Sequence, residues 1–214
     1  MNQIRFERDY KYNNTLRKSY SDLSSLTFGI EFEEYYQKGF WSDRYVPFSY
    51  VYQDKVIANV SVNLLDFIIQ GNKKKALQIG TVMTHPDFQK RGLSTNLMNK
   101  VLAEYSDSYD FMYLFANKDV LDFYPKFGFK TYNEHIFYMN FAVNKKQNRN
   151  LRKLDIANLK DKNFIYEFVS NRIPVSETFS TFNSEGIFMF YSLNVFPQNI
   201  YYLADEDVIV VFKQ

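Results

Sequence analysis

The 214-residue chain contains no cysteine. Disulfides, a thiolate nucleophile and any metal site built on Cys ligands are therefore excluded. It has only two histidines, His85 and His135, too few for a His-rich metal site, and no metal is expected. An excess of either charge is missing too. The 26 Lys and Arg residues nearly balance 24 Asp and Glu, for a net charge of +2. That balance leaves no electrostatic footprint for nucleic acid or an anionic membrane. No run is long and apolar enough to cross a bilayer. Residues 1–10 are charged and lack the apolar core of a signal peptide. The expectation is a cytoplasmic protein with neither a nucleic-acid nor a membrane partner.

Hydrophobic residues supply 46% of the chain, enough to bury a sizeable core in one large domain, or in one domain with an appendage. Aromatics are abundant at 19%, with 22 Phe and 18 Tyr. Most are read as a Phe-rich core with Tyr at its margins. An aromatic pocket for an organic, cationic substrate is the alternative.

Residues 4–6 predict a short strand. Residues 14–26 have helical spacing through Leu16, Tyr20, Leu23 and Leu26. A second helix is expected over 31–38, with Gly39 as its C-cap. Residues 46–52, 56–69 and 76–84 predict an antiparallel meander, turning at 53–55 and again through 71–75. Lys73, Lys74 and Lys75 are placed in that second, solvated turn. A helix over 92–105 buries Leu93, Leu97, Val101 and Tyr105. A buried strand (111–116), a short helix (120–126) capped by Asp119 and stopped by Gly128, and a hairpin (129–132 with 135–141) complete the domain.

The strand–helix–strand step through Gly92 requires one parallel pair in a mostly antiparallel sheet. The class is mixed α/β (α+β), with the domain at 1–143. Residues 144–150 are polar and basic and read as a linker. Residues 151–214 form a small C-terminal α+β extension with a strand (151–154), a helix (161–172) and a hairpin (200–204 with 208–212). Their order partly repeats the opening of the chain, the layout of a truncated second half. The apolar run 187–190 needs cover from the first domain or from another subunit.

The chemistry concentrates in Thr81-Val82-Met83-Thr84-His85-Pro86-Asp87-Phe88-Gln89-Lys90-Arg91-Gly92-Leu93-Ser94. A strand enters a short loop that opens a helix. Free amides and the helix dipole make such a start an anion site. Gly92 permits close backbone approach, Ser94 is small, and Lys90 and Arg91 add positive charge. An ordinary strand-to-helix connection fits the spacing equally well.

This segment resembles motif A of the GNAT superfamily of N-acetyltransferases: a strand ending near His-Pro, then Gln/Arg-x-x-Gly-x-Gly/Ala and a helix. Gln89, Gly92 and Ser94 stand at the key positions, Ser94 replacing the commoner Gly or Ala. Downstream, Asn117, Tyr124 and Gly128-Phe129 resemble the family's later Asn, aromatic-Tyr and Gly-Phe elements, in the right order. The loop has neither the Gly-Lys-Ser/Thr of a P-loop nor the glycines of a Rossmann fingerprint.

The resemblance implies a GNAT-type acyl-CoA N-acyltransferase fold, acetyl-CoA as co-substrate and an amine acceptor. It sets Val82, Met83 and Thr84 along the pantetheine arm. Gln89, Lys90, Arg91, Gly92, Leu93, Ser94 and Thr95 surround the pyrophosphate. Asn117 bonds the pantetheine or orders the adjacent chain, and Tyr124 stands by the sulfur as general acid. A backbone N–H at Met83 or Thr84 would stabilise the oxyanion. Without cysteine, direct transfer in a ternary complex is favoured over an acyl-enzyme.

No general base is singled out. His135, Glu134, Glu33, Glu34 and Asp66 are candidates, and His85 shapes the turn. A water chain would serve equally. Two other readings stand beside the enzyme: a CoA-binding regulatory module without turnover, and an interaction protein whose tail builds a homodimer.

Overall fold

The computed structural model describes residues 3–135, 138, 140 and 150–213. The first strand, β1, is Arg5–Arg8. Helix α1, Asn14–Phe28, starts where Asn13 accepts a hydrogen bond from the Leu16 amide (3.1 Å) and ends at Gly29, whose φ of 69° is left-handed. Its Leu16, Tyr20 and Leu23 are buried. The short helix α2, Glu33–Gln37, buries Tyr35.

A meander follows: β2 (Tyr45–Tyr52), β3 (Lys55–Ile69) and β4 (Asn72–Thr84). Its two turns each carry consecutive positive φ values, Gln53 (49°) with Asp54 (59°) and Gln70 (50°) with Gly71 (74°). Two-residue turns of this hand match the right-handed strand twist. The second turn is tighter than the sequence suggested. Lys73, Lys74 and Lys75 are part of β4, paired with Ile68, Phe67 and Asp66 of β3, because Gln70 and Gly71 alone close the hairpin.

Helix α3 is Leu93–Glu104 and the short strand β5 is Phe111–Tyr113. The sheet runs β1-β2-β3-β4-β5, and only the β4–β5 contact is parallel among these neighbours. The expected helix over 120–126 is replaced by two 3₁₀ turns, Lys118–Val120 and Tyr124–Phe127. Pro125 lacks an amide hydrogen and would clash with the preceding helical turn. Asp119 therefore caps no helix, whereas Gly128 ends the second turn with φ 86° as expected. Residues 129–132 form no strand. The partner segment, 135–141, lies largely outside the described residues, as does the proposed linker apart from Asn150.

The tail contains β6 (Leu151–Lys153), α4 (Leu159–Asn171), β7 (Phe179–Phe182), α5 (Glu185–Asn194), β8 (Ile200–Leu203) and β9 (Val208–Val211). Strands β6, β8 and β9 form a small antiparallel sheet. β7 joins the main sheet, pairing antiparallel with Asp66–Ile69 of β3. Neither β7 nor α5 was expected. β7 is four residues of Phe, Ser and Thr, and α5 is apolar on most sides, so neither carries a clean period.

Two cores sandwich the sheet. On one face α3 sets Leu97, Met98 and Val101 against Val60, Val62, Leu77 and Ile79. On the other, Tyr20, Phe32, Trp41 and Tyr45 pack with Leu154, Ile165, Met189 and Ile200 of the tail in one cluster. Most of the apolar run 187–190 packs here: Met189 is buried, and the Phe190 ring lies 5.2 Å from that of Phe32 and 5.7 Å from that of Tyr35, while Ile187 packs on a smaller cluster of Leu65, Phe67 and Ala76. Among the described residues no helix is long and apolar enough to cross a membrane.

Candidate active site

Strand β4 is interrupted at Thr81. Its φ of 47° is left-handed, and the register with β3 slips between Asn59 and Ser61. Such a bulge bends a strand and re-aims its groups. Buried side chains hold it in place. Asn59 donates from Nδ2 to the Thr81 carbonyl (2.8 Å), and Tyr45 OH lies 2.5 Å from Thr81 Oγ1. Behind them run further bonds: Tyr20 OH with Tyr45 OH, Tyr20 OH with Ser61 Oγ (3.2 Å), Ser49 Oγ to Asn59 Oδ1 (2.8 Å), and Tyr10 OH with Ser49 Oγ (2.6 Å). Burial raises the Tyr20 and Tyr45 phenols above their ordinary range, so both stay neutral. This network lies outside every sequence motif; its one signal in the sequence is the polar pair Asn59 and Ser61 inside an apolar strand.

The bulge coincides with a fork. The β4–β5 ladder has three pairs and ends at Gln78 with Tyr113. From Ile79 to Thr84, β4 pairs with β3 but has no β5 partner. Among the described residues, Val82, Met83 and Thr84 thus lie on a strand with one open edge, which an extended ligand arm can pair with as an added strand would.

At the far end of that edge stands the loop. Pro86–Phe88 makes a 3₁₀ turn with Gln89 as its C-cap residue, and Lys90 (60°) and Gly92 (73°) take positive φ. Gly92 is the N-cap of α3 and provides no side-chain bond to the helix amides. Those amides and the helix dipole therefore form an uncompensated positive end. A Cβ built at Gly92 meets nothing within 4 Å, so the space before the helix is open.

Thr84 and Ser94 tie strand to helix, their hydroxyl oxygens 2.7 Å apart. Gln89 Nε2 donates to the Thr84 carbonyl at 3.3 Å. Arg91 donates to the Asp87 carbonyl (2.7 Å) and stacks over the Phe88 ring. Lys90, Arg91 and Thr95 are exposed, while Leu93 is half-buried. Ser94 is thus a strut as well as a small residue.

Asn117 and Tyr124 follow β5, and Tyr124 lines a cavity with Phe111, Tyr113 and Phe115. Asn117 is exposed at the start of the first 3₁₀ turn. Tyr124 is buried, with its ring 5.2 Å from Phe123 and 6.2 Å from Phe129, and burial raises its phenol above the usual range. Phe123, Phe127 and Phe129 pack on the cluster holding Leu97 and Val101, which seats this turn beside α3.

The base candidates are engaged or exposed. Glu33 accepts from Arg17 (3.0 and 3.1 Å), and that guanidinium holds its carboxyl below the ordinary range. Asp66 accepts from Arg44 (2.8 Å) and Asn183 (3.2 Å). His85 Nδ1 accepts from the Asp87 amide, the turn-shaping role expected of it. Glu34, Glu134 and His135 are exposed. Among the described residues no cluster of potential metal ligands occurs.

The family model described as an acetyltransferase (GNAT) domain matches residues 11–132. The chain belongs to the GNAT acetyltransferase family. The GNAT match covers β2 to β5, the bulge, the α3 loop and Tyr124 alike.

Solved structures share the fold. A predicted acetyltransferase with acetyl-CoA from Clostridium acetobutylicum aligns with a TM-score of 0.52 and 17% identity, over 64% of this chain and 96% of its own. A Trypanosoma brucei acetyltransferase aligns at 0.51 and 16%, over 64% of this chain and all (100%) of its own. An aminoglycoside N-acetyltransferase in complex with CoA aligns at 0.51 and 14%, over 66% and 97%. About a third of this chain thus lies outside each alignment. No curated protein matches the chain in sequence.

Proposed function

We propose that this GNAT protein transfers the acetyl group of acetyl-CoA to a primary amine by direct attack in a ternary complex. The observation that carries the reading is the open edge of β4 running from the Gln78–Tyr113 fork to the uncapped start of α3. The six residue steps from Gln78 to Thr84 span about 20 Å, a length suited to an extended pantetheine arm. The α3 amides, Lys90 and Arg91 meet the pyrophosphate at one end. Val82, Met83 and Thr84 offer backbone groups along the arm, and Asn117, exposed after β5, is the side chain assigned to bond it.

In the reaction, the neutral amine nitrogen forms a bond to the acetyl carbon and the C–S bond breaks. A backbone N–H of β4 near the fork stabilises the oxyanion, an effect of roughly 10²–10³-fold, whereas the Met83 and Thr84 amides that the resemblance named lie toward the pyrophosphate end. Tyr124 donates its phenolic proton to the departing thiolate, and its raised pKa keeps that proton in place at neutral pH. The ammonium formed on the acceptor loses its proton to water. The engagement of Glu33 by Arg17 and of Asp66 by Arg44 supports this route.

Thermal melting with and without acetyl-CoA tests the reading. Ligand at 100 times its dissociation constant adds about 2.7 kcal/mol of stability. A Gly92→Glu variant places a bulky anion in the open space before α3. The expected result is a rise in Tm in the parent protein and none in the variant, each compared with its own ligand-free baseline. No rise in the parent protein contradicts the proposal. A rise without acetylation of any amine in a broad screen supports the second reading, a CoA-binding module without turnover, which the lack of a free base at β4 favours.

A further inference from the structure

The tail and the main sheet enclose a cavity of about 540 Å³. Gln78 and Tyr113, the last paired residues of β4 and β5, form part of its wall. The cavity therefore opens at the fork itself, where an arm laid along β4 from the α3 loop would end. The opposite wall comes from the tail, with Phe168 of α4 and Ile187, Phe188 and Tyr191 of α5. Burial raises the Tyr113 phenol to about 12, with Tyr191 adding to the effect, so that phenol stays neutral at physiological pH.

One charged group interrupts this lining. Arg172, at the C-terminal end of α4, is half-buried and lines the cavity. Its Nη2 donates to Thr181 Oγ1 and to Ser184 Oγ, both at 2.7 Å, which fixes the guanidinium between β7 and α5. Its Nε and Nη1 donors have no partner among the described residues. Glu185 acts on it electrostatically but does not line the cavity, and neither does any other Asp or Glu. Across the cavity, Gln78 accepts from Asn63 Nδ2 at 3.2 Å through Oε1, and its own amide nitrogen has no partner among the described residues.

We infer that this cavity is the acceptor site and that it takes an amine carrying an aromatic or apolar body and a carboxylate, as in an aromatic α-amino acid, with the carboxylate on Arg172. The inference rests on the acetyl-transfer reading above. A fixed guanidinium with free donors, set in an apolar wall, is complementary to a carboxylate. The same wall repels a polycation, because it offers no anion to desolvated ammonium groups. A cavity of this size holds a small organic molecule. The tail thus selects the acceptor, while the main sheet handles the donor.

Steady-state acetylation of L-phenylalanine, L-phenylalaninamide and the aminoglycoside kanamycin tests the preference. The parent protein is expected to favour phenylalanine over its amide by roughly tenfold to hundredfold in kcat/KM, mainly through KM, the range expected for hydrogen bonds to a charged partner. An Arg172→Gln variant should lose that preference, its kcat/KM for the acid falling to the level of that for the amide. Calorimetric binding of the product N-acetyl-L-phenylalanine provides a readout that needs no turnover, with binding expected in the parent protein and lost in Arg172→Gln. If Arg172→Gln melts early, Ile187→Trp, which fills the apolar wall, should abolish product binding instead. A preference for kanamycin, equal turnover of acid and amide, or product binding unchanged in both variants overturns the inference. Absence of acetyl-CoA binding alongside Arg172-dependent product binding would sink the acetyl-transfer reading and leave the pocket.

Discussion

Ser94 Oγ lies 2.7 Å from Thr84 Oγ1, joining the last residue of β4 to the first turn of α3. The bond fixes the angle between the strand edge and the helix end that together form the proposed donor site. Ser94→Ala should remove about 1 kcal/mol, a fall in Tm of roughly 2–4 °C for a chain of this size. Binding of acetyl-CoA should survive, since the loop stays open. Ser94→Leu should fill the loop and abolish binding, measured by titration calorimetry.

Tyr124→Phe should lower kcat by about 10²–10⁴-fold while leaving the dissociation constant for acetyl-CoA unchanged. The phenol must be protonated to act as an acid, and burial has raised its pKa. The alkaline fall in kcat should therefore lie above the ordinary tyrosine range. A kcat profile over pH, in the parent protein and in the variant, checks both points. A fall near neutrality that Tyr124→Phe removes would refute the assignment.

Glu33 bonds Arg17, whose guanidinium is buried, stacks on Tyr36 at 3.6 Å and also donates to the Lys11 carbonyl. Removing the carboxylate strands a buried cation. Glu33→Ala should cost roughly 1–3 kcal/mol and leave kcat intact, which separates a structural carboxylate from a catalytic base. Arg17 also lowers the Glu33 pKa, so this contribution is present above the unfolded value and is lost as pH falls through the folded one. Chemical denaturation at pH 7 and at pH 3 should show a smaller difference between parent protein and variant at the lower pH.

The elements that place the proposed donor site were legible in sequence. Residues 14–26, 46–52, 56–69 and 92–105 carry clean periods and sit within a few residues of the observed α1, β2, β3 and α3. Gly92 and Gly128 marked helix boundaries because their backbone conformations require φ above zero. What could not be read was set by contacts distant in sequence. β7 is a strand because β3 extends past β2 and leaves an edge at Asp66–Ile69. The bulge at Thr81 depends on Tyr45 and Asn59, from two other strands. Arg172 stands in the tail, outside every motif, so only its position against Gln78 and Tyr113 draws attention to it.

Burial raises the phenols of Tyr10, Tyr20, Tyr35 and Tyr45. In the unfolded chain they ionise near the ordinary value, so above about pH 10 the unfolded state binds fewer protons. Stability should then fall by up to about 1.4 kcal/mol per pH unit for each phenol. Tyr45→Phe leaves Thr81 Oγ1 without that partner and should cost roughly 1–3 kcal/mol at pH 7. Above pH 10 its stability should fall less steeply than that of the parent protein, as followed by urea denaturation at each pH. An equal slope would refute this account of the network.

The central claim, that the donor lies along the open edge of β4 with its phosphates on α3, is tested most directly by amide hydrogen exchange with and without acetyl-CoA. Slowed exchange is expected at Val82, Met83 and Thr84 and at Leu93, Ser94 and Thr95, with little change in α1 or in the β6–β8–β9 sheet. Protection confined to other segments, or none at saturating ligand, would contradict it.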